Sequence, residues 1–398
     1  MIGTTAPPQP APPIRNLRIT LWGVQGSYPV FPTPHGVQQY ARCLGTHILS
    51  LAFERMRGQC KDGRCSVEEL LGGPATPERL ESLLAQIGVP DVPIYGGETT
   101  CIQVETSEGS NIILDAGSGI RRCSFEIAHR WQSRADREIH LFGSHEHLDH
   151  RSGLAFSRFC YENDPPYTVR IYGTYGFLRA IDSHYGIFSR QVGECTHVDD
   201  PIDFSYMKAK FVGTEFRREG DTEVRKERHW AVRDLSPVQV GRTVVTPFEV
   251  YHGIPCMGYR VEHDGKVFVF ATDHELRRGQ DKTDPRQIRS LEAEARVVEM
   301  SRNADLAYYD AQYFLDEYLG HKALGAYPPM SRMDWGHTCI EDAVERSIAA
   351  GVRHTLLGHH DPDRDWAARV EMDARLAKLS EGKPYRIQLA EGDGVFEL

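Results

Sequence analysis

Alternation of apolar and polar residues with a period of two predicts β-strands in both halves of the chain. In the first half the predicted strands are 17–22, 100–106, 111–115, 140–143 and 168–172. In the second half they are 244–250, 257–261, 266–271, 306–309, 354–358 and 385–389. Helical spacing of apolar residues follows several of these strands, at 176–184, 284–300, 340–350 and 363–378. Paired strands followed by strand–helix units in both halves are typical of two mixed sheets packed face to face between helices.

A helical segment at residues 38–93 interrupts the strand pattern. Ser66 and Glu69 have the spacing of a capping box, and apolar residues with helical spacing continue from Leu80 to Ile87. Since predicted strands lie on both sides, we interpret 38–93 as a helical insertion into the main domain, serving as a lid or as a dimer surface.

Two other segments carry little strand or helix pattern. Residues 195–237 are charged and weakly patterned, which favours a solvated polar loop or hairpin insertion over a substrate-contacting role. Residues 1–13 are rich in proline and are expected to form a disordered tail. The main domain is therefore predicted at 14–398.

Composition narrows the function further. The 398 residues include 46 Lys and Arg against 56 Asp and Glu, and the net charge of -10 argues against broad nucleic-acid binding. No apolar run approaches the roughly 18–20 residues that span a bilayer, so no membrane association is expected. The nine cysteines are odd in number and scattered, which favours free thiols in a reducing, cytoplasmic compartment. Cys60 and Cys65 form only a weak zinc signal, and a plain loop is the preferred interpretation.

The densest chemical feature is the sequence SHEHLDH at residues 144–150, which directly follows a predicted strand. In an extended stretch residues two apart point the same way, so His145 and His147 can converge on one point. A helix is predicted to begin near Arg151, and the turn into it can aim Asp149 and His150 at a second point nearby. Imidazole nitrogen and carboxylate oxygen are donors that zinc, iron and manganese accept.

Four donors cannot fill the coordination spheres of two metal ions, so further ligands must come from elsewhere. Candidate donors occur at the ends of other predicted strands: His252, Asp273, and the pair His359 and His360. A donor at each strand end is what a site built on one edge of a sheet would show. Each of these residues taken alone could equally be an ordinary surface or core residue.

This set of residues resembles the metallo-β-lactamase superfamily, and within it the phosphodiesterase branch that includes tRNase Z and bacterial cyclic phosphodiesterases. Other matching stretches are LWGVQGSYPV, YGGETTCIQVE, IILDAGSGIR, YRVEHDGKVFVFATDHE, YDAQYFLDEY, DWGHTCIEDAVE and LLGHHDPDRD. The resemblance covers about 300 residues in order and leaves out 38–93, much of 195–237 and the tail. It implies an α/β (α+β) fold, a four-layer αββα sandwich of two mixed sheets with a dinuclear metal site at the edge between them.

The resemblance also divides the candidate ligands between two divalent metal ions: His145, His147 and His252 for one, and Asp149, His150 and His359 for the other. It implies that Asp273 bridges the two ions. Strand register favours His359 as the ligand and leaves His360 in a supporting position. Zinc is the first choice of metal, with manganese or iron as alternatives.

His337, in the sequence Trp335-Gly336-His337, resembles a histidine that lies beside the scissile phosphate in these phosphodiesterases. The resemblance makes His337 and Asp149 the expected catalytic residues, with Trp335 as a further substrate contact. The alternative for His337 is a position near a helix start without any substrate contact. Asp310 resembles a residue that orients this histidine. Asp115 resembles an aspartate that supports the metal-binding loop, and a purely structural role for it is equally open.

The resemblance implies a hydrolase. Relatives with redox di-iron chemistry have Glu at the position of His147, and β-lactam hydrolases have Cys at the position of Asp273; neither is present. We therefore expect a metal-bridging hydroxide to cleave a small phosphodiester, such as a cyclic nucleotide or a cyclic ribose phosphate. An acyl hydrolase (a lactonase or thioesterase) and a non-catalytic metal-binding nucleotide sensor or scaffold are the alternatives. No tRNA-gripping arm is evident, and a homodimer is compatible with the resemblance.

Overall fold

The structure is a computed structural model that describes residues 14–31, 34–59, 66–87, 97–192, 204–217, 228–325, 327–364 and 366–398. The predicted tail at 1–13 and the pair Cys60 and Cys65 lie outside these residues. The chain divides into two compact units. One comprises Met1–Val30, Gly96–Arg364 and Glu371–Leu398, and the other comprises Phe31–Tyr95 and Asp365–Val370.

The strands of the described residues are β1 (Leu17–Gly23), β2 (Cys101–Thr106), β3 (Asn111–Leu114), β4 (Glu138–Phe142), β5 (Thr168–Gly173), β6 (Lys210–Arg217), β7 (Ala231–Asp234), β8 (Val238–Val240), β9 (Thr243–Tyr251), β10 (Pro255–His263), β11 (Lys266–Ala271), β12 (Leu306–Asp310), β13 (His354–Gly358), β14 (Arg386–Leu389) and β15 (Val395–Glu397). The α-helices are α1 (Pro34–Gln59), α2 (Val67–Leu71), α3 (Pro77–Ile87), α4 (Ile120–Arg130), α5 (Tyr175–Tyr185), α6 (Pro285–Met300), α7 (Leu315–Tyr318), α8 (Ile340–Ala350) and α9 (Trp366–Ser380).

These strands form two mixed sheets. The first has the order β15-β1-β2-β3-β4-β5-β6-β7, antiparallel from β15 to β3 and parallel from β3 to β7. The second has the order β14-β13-β12-β11-β10-β9-β8, parallel from β14 to β11 and antiparallel from β11 to β8. The predicted strands of the second half are thus confirmed to within a few residues at each end.

Three apolar clusters separate the layers. The central cluster lies between the sheets and includes Ile19, Val104, Tyr259 and Phe268. A second cluster joins the other face of the first sheet to α4 and α5, and a third joins the second sheet to α6, α8 and α9. Alternation along single strands sends neighbouring residues to different layers. The predicted four-layer αββα sandwich is confirmed.

Residues 195–237 differ from the predicted loop or hairpin in their described part. The strands β6 and β7 are adjacent and parallel in the first sheet, so they are not the two arms of a hairpin. Polar residues concealed this strand from the sequence pattern, because Glu215 of β6 is buried and accepts hydrogen bonds from Arg228 and Trp230. Residues 193–203 and 218–227 lie outside the described residues.

The helix predicted to begin near Arg151 is not present. Residues 148–160 instead form turns and three short 3₁₀ segments. The peptide N–H of Gly153 donates to the carbonyl of Ala116 rather than along a helix, and the N–H of Arg158 donates to the Ser124 hydroxyl. These bonds to other segments replace the hydrogen bonds that a helix would make within itself.

The second compact unit contains α1, α2 and α3. The predicted capping box is confirmed at α2: Ser66 accepts a hydrogen bond from the Glu69 N–H, and the Glu69 carboxylate accepts one from the Ser66 N–H. No helix of the described residues is long and apolar enough to cross a bilayer. The role of 38–93 as a lid or a dimer surface stays a prediction.

Candidate metal centre

The ends of strands from both sheets meet at one edge of the sandwich and bring the predicted donors together. The segment after β4 supplies His145 to His150, and the β9–β10 turn supplies His252. Asp273 and His359 follow β11 and β13 in the second sheet. All seven predicted ligands therefore lie in two groups that could each hold a metal ion: His145, His147, His252 and Asp273 in the first, and Asp149, His150 and His359 in the second. Asp273 also approaches His150 and His359 of the second group, and with His337 and His359 it forms a further such set of donors.

The first group surrounds one oxygen of Asp273. Its Oδ2 lies 3.6 Å from Nε2 of His145 and 3.4 Å from Nε2 of His252. Nδ1 of His147 is 3.2 Å from Nε2 of His252. His147 is exposed, whereas the other three residues are buried. The group is thus closed on the protein side and open toward solvent at His147.

The second group surrounds the other oxygen of Asp273. Its Oδ1 lies 3.3 Å from Nε2 of His150 and 3.2 Å from Nε2 of His359. The same two nitrogens are 3.2 and 3.3 Å from Oδ2 of Asp149. Asp273 therefore presents one carboxylate oxygen to each group, as a bridging ligand would.

These separations fit divalent cations. Donors bound about 2.0–2.2 Å from a tetrahedral ion lie about 3.3–3.6 Å apart, because a tetrahedron's edge is about 1.6 times its centre-to-corner distance. The seven distances span 3.2–3.6 Å. The buried Nε2 atoms of His145 and His150 have no hydrogen-bond partner in the described residues. Unsatisfied buried nitrogens that converge on carboxylate oxygens are what a metal ion would complete.

The backbone is left-handed at three of these strand ends. Asp115, Asp273 and His359 have φ of 61°, 50° and 57°, although none is glycine. This conformation costs of order 1–3 kcal/mol per residue and persists where surrounding structure enforces it. At Asp273 and His359 this turn aims the side chain into the centre, and at Asp115 it aims the carboxylate at Nδ1 of His150.

The second ring nitrogen of His150 and that of His252 are each held by a hydrogen bond. Nδ1 of His150 lies 2.7 Å from Oδ2 of Asp115, and the peptide N–H of Ser144 donates to the other oxygen of Asp115. Nδ1 of His252 donates to the carbonyl of Gly336 over 2.8 Å. These bonds orient the two rings so that Nε2 of His150 and Nε2 of His252 face the centre.

A buried carboxylate that the sequence analysis did not single out holds the segment around Gly336. Glu275, two residues after Asp273, accepts hydrogen bonds from the N–H groups of Asp334 and Gly336, each over 2.9 Å, and from the Tyr318 hydroxyl. Its only signal in the sequence is its place in TDHE, directly after a predicted strand.

Burial keeps most of the first group neutral. Burial lowers the pKa of His145, His147 and His252, and that of His252 falls to about 4. Metal ligation requires an unprotonated imidazole, so these rings need lose no proton near neutral pH. Burial also tends to lower the pKa of His150, but the charges of Asp149, Asp273 and Asp115 outweigh it and raise that pKa.

His337 lies against both groups. Its ring stacks on His359 with a centroid separation of 4.7 Å and is 5.2 Å from that of His252. Nδ1 of His337 lies 2.9 Å from Oδ2 of Asp310. Burial alone would lower the pKa of His337, but the charge and hydrogen bond of Asp310, followed by Asp273 and Asp149, raise it to about 9. In the metal-free protein this raised pKa favours the protonated form of the His337 ring at neutral pH.

A sequence model described as a β-lactamase superfamily domain matches residues 110–360. That span is more than half of the chain and contains all seven candidate ligands. The chain belongs to this superfamily. The resemblance to the metallo-β-lactamase superfamily is therefore confirmed.

Several solved structures of low sequence identity align over most of the chain. A diphosphatase from the PhnP family has a TM-score of 0.46 at 14% identity, covering 96% of this chain and 98% of that one. The short form of human tRNase Z has 0.48 at 15%, covering 95% and 98%. Unliganded yeast PDE1 has 0.47 at 15%, covering 78% and 97%. No curated protein sequence matches the chain.

The other predicted residues of this superfamily member occupy distinct positions. His360 points away from the centre, and its Nε2 donates to the carbonyl of Ala390. The side chain of Trp335 is about half exposed, two residues before His337, and its ring lies beside the guanidinium of Arg332. His360 is thus outside both groups of donors.

Proposed function

We propose that this superfamily member is a hydrolase that uses two divalent metal ions to cleave a phosphodiester bond. The observation that carries the proposal is the sharing of Asp273, with Oδ1 facing one group of donors and Oδ2 the other. His145, His147 and His252 would hold one ion, and Asp149, His150 and His359 the other. Divalent ions held there supply Lewis acidity and lower the pKa of water, which is the chemistry that hydrolysis at phosphorus requires.

His337 supports phosphorus rather than an acyl carbon as the point of attack. A phosphodiester carries a negative charge that increases on its oxygens in the transition state, and a cation positioned beside them stabilises it. His337 is paired with Asp310 and lies next to both groups, so its Nε2–H can donate to a phosphoryl oxygen or to the leaving oxygen. General acid catalysis of this kind contributes about 10²–10⁴-fold.

The supporting residues keep the donors in place while the substrate reacts. Asp115 holds the ring of His150, and the N–H of Ser27 donates to Oδ2 of Asp149 over 2.8 Å. Asp149 would thus bind a metal and orient the attacking water with the same carboxylate. Exposed Trp335 would border the substrate entrance beside His337.

The test is hydrolysis of bis-p-nitrophenyl phosphate and of cyclic nucleotides after loading with zinc, manganese or iron. We expect two ions per chain by elemental analysis, and a loss of activity of at least about 10²-fold in His147→Ala. His321→Ala, which removes an exposed histidine outside both groups, is the matched control. Equal rates for wild type and His147→Ala would contradict the proposal.

A further inference from the structure

A cavity of about 620 Å³ opens beside the candidate metal centre. Its walls are the residues after β5, the last three residues of β6, the β9–β10 turn with the adjoining strand ends, and one face of α6. His252 and Cys256 belong to its lining, and Sγ of Cys256 lies 3.6 Å from Nδ1 of His145. One end of the cavity therefore reaches the histidines of the first group, so a substrate whose phosphodiester is at the centre could extend into it.

Three arginines line this cavity without a carboxylate partner. Arg217, at the end of β6, has a buried Nε without any hydrogen-bond partner among the described residues. Arg289 and Arg296 project from α6 about two turns apart. Neither forms an ion pair with a described carboxylate, although Nη1 of Arg296 donates to the carbonyl of Glu249 over 3.1 Å. A buried guanidinium N–H without a partner is costly, and a bound anion would satisfy it.

The acidic residues of the lining do not cancel this charge. Glu215 is already held by Arg228, whose Nε and Nη2 donate to its two oxygens over 2.8 and 2.9 Å. Glu249 and Glu292 also line the cavity, and both Glu292 and Arg289 are exposed to solvent, where screening weakens their charges alike. Arg228 lies outside the lining and neutralises Glu215, so the three lining arginines are opposed by two glutamates and one positive charge remains.

We infer that this cavity binds a second phosphate group of the substrate, separate from the phosphodiester that is cleaved. The inference rests on the proposed function for the identity of the reacting group. Guanidinium groups recognise phosphate through paired, charge-assisted hydrogen bonds, and Arg217 with Arg289 and Arg296 can offer such donors from two walls. Tyr175 and Tyr251 in the lining offer aromatic surface for the part of the substrate that joins the two phosphates.

Equilibrium titration calorimetry of the metal-loaded protein tests this inference without turnover. The probes are adenosine 3′,5′-bisphosphate and adenosine 2′,5′-bisphosphate, each compared with adenosine 5′-monophosphate, which has a single phosphate. We expect at least one bisphosphate to bind about tenfold more tightly or better than the monophosphate, because it adds charge-assisted hydrogen bonds. Arg217→Gln should remove this preference, and Arg217→Lys should retain part of it.

Arg289→Gln with Arg296→Gln provides a second variant on the outer wall, should Arg217→Gln fail to fold. Arg353→Gln, at an exposed arginine that pairs with Asp305, is the matched control and should keep the full preference. No preference in wild type, or one that survives both sets of cavity variants, would overturn the inference. A preference that depends on Arg217 in a protein without diesterase activity would instead leave the cavity site standing and reject the proposed function.

Discussion

The carboxylate of Glu275 accepts a hydrogen bond from the N–H of Gly336, and the carbonyl of the same Gly336 accepts one from Nδ1 of His252. Gly336 thus connects the buried carboxylate of Glu275, which follows β11, to the candidate metal ligand His252 on the β9–β10 turn. The next residue along the chain is His337, which faces the centre. Glu275 therefore positions two functional side chains without touching the site itself.

Glu275→Gln should loosen this connection. The amide offers one acceptor oxygen where the carboxylate serves three donors, so at least one buried N–H or hydroxyl loses its partner at a cost of about 1–3 kcal/mol. We expect a lower free energy of unfolding in urea and about 10–100-fold weaker metal binding by competition with a chelator.

Tyr318→Phe separates the two effects of Glu275→Gln. It removes only the hydroxyl that donates to Glu275 and leaves the bonds to Asp334 and Gly336 in place. Its metal affinity should stay near that of wild type even where stability falls. Unchanged metal binding in Glu275→Gln would show that the segment is held by other contacts.

Gly336→Ala should disturb the metal centre directly. Gly336 has φ of 90°, and an added Cβ would point into the ring of His252. Because His252 has to shift, we expect weaker metal binding and lower activity together, beyond the roughly 1–2 kcal/mol of backbone strain.

Gly382→Ala is the matched control for Gly336→Ala. Gly382 has φ of 70°, but an added Cβ there meets no atom of the described residues within 4 Å. This variant carries the backbone strain alone, so it should lose stability and keep its metals. If both variants lose metal equally, the close approach to His252 is not the cause.

Asp310→Asn tests the pair formed with His337. The neutral amide removes the chief raising influence on the pKa of His337, which is about 9 in the metal-free protein, so that pKa should fall. We expect the NMR titration of this imidazole, and the alkaline limb of the rate profile, to move to lower pH. Asp305→Asn, at a carboxylate that pairs with Lys266 and Arg353, should leave both unchanged.

The pair of His337 and Asp310 also determines how the stability of the fold changes with pH. The folded pKa of His337 lies above its ordinary value of 6.5, so the pair stabilises the metal-free fold fully below about pH 6.5. That contribution is lost as the pH rises through about 9. The free energies of unfolding of metal-free wild type and of Asp310→Asn should therefore differ most at acid and neutral pH and converge above pH 9. A constant difference across this range would assign the effect to packing.

The candidate ligands could be predicted from the sequence because each lies close to another ligand along the chain or directly follows a strand. His145 and His147 are two residues apart in extended chain, and His252, Asp273 and His359 each follow a strand that apolar patterning reveals. Glu275 and Arg217 could not be found in this way. The role of Glu275 depends on Gly336, which is 61 residues away in the sequence. The role of Arg217 depends on a cavity whose other walls come from other elements of the fold.

The errors of the sequence analysis have the same origin. The absent helix after His150 and the strand β6 both depend on hydrogen bonds from distant segments, such as that from the Arg158 N–H to Ser124. Periodicity reports which face of an element is apolar, and it does not report which buried polar group finds a partner. Polar residues buried in networks are consequently where pattern and structure disagree.

The last prediction concerns a buried network behind the centre. Glu294 of α6 accepts two hydrogen bonds from Arg346, over 2.9 and 2.6 Å, and lies 2.9 Å from Nε2 of His274. The Tyr251 N–H donates to Nδ1 of His274, so the ring is neutral with its proton on Nε2. Burial likewise lowers the pKa of His274. This network holds the residue that directly follows Asp273.

Glu294→Gln should remove about 3–5 kcal/mol of stability at pH 7, because it leaves the buried charge of Arg346 without its counter-ion. Burial alone would raise the pKa of Glu294, but Arg346 and the hydrogen bond from His274 outweigh it and lower that pKa. A depressed carboxylate pKa gives stability that is present above about pH 4.5 and is lost as the pH falls further. The free energy of unfolding of wild type, measured in urea, should therefore fall more steeply on acidification than that of Glu294→Gln. Glu299→Gln, at an exposed carboxylate on the same helix, is the control, and its free energy of unfolding should fall with pH as that of wild type does. If the free energy of unfolding of Glu294→Gln falls just as steeply, the acid sensitivity lies elsewhere in the fold.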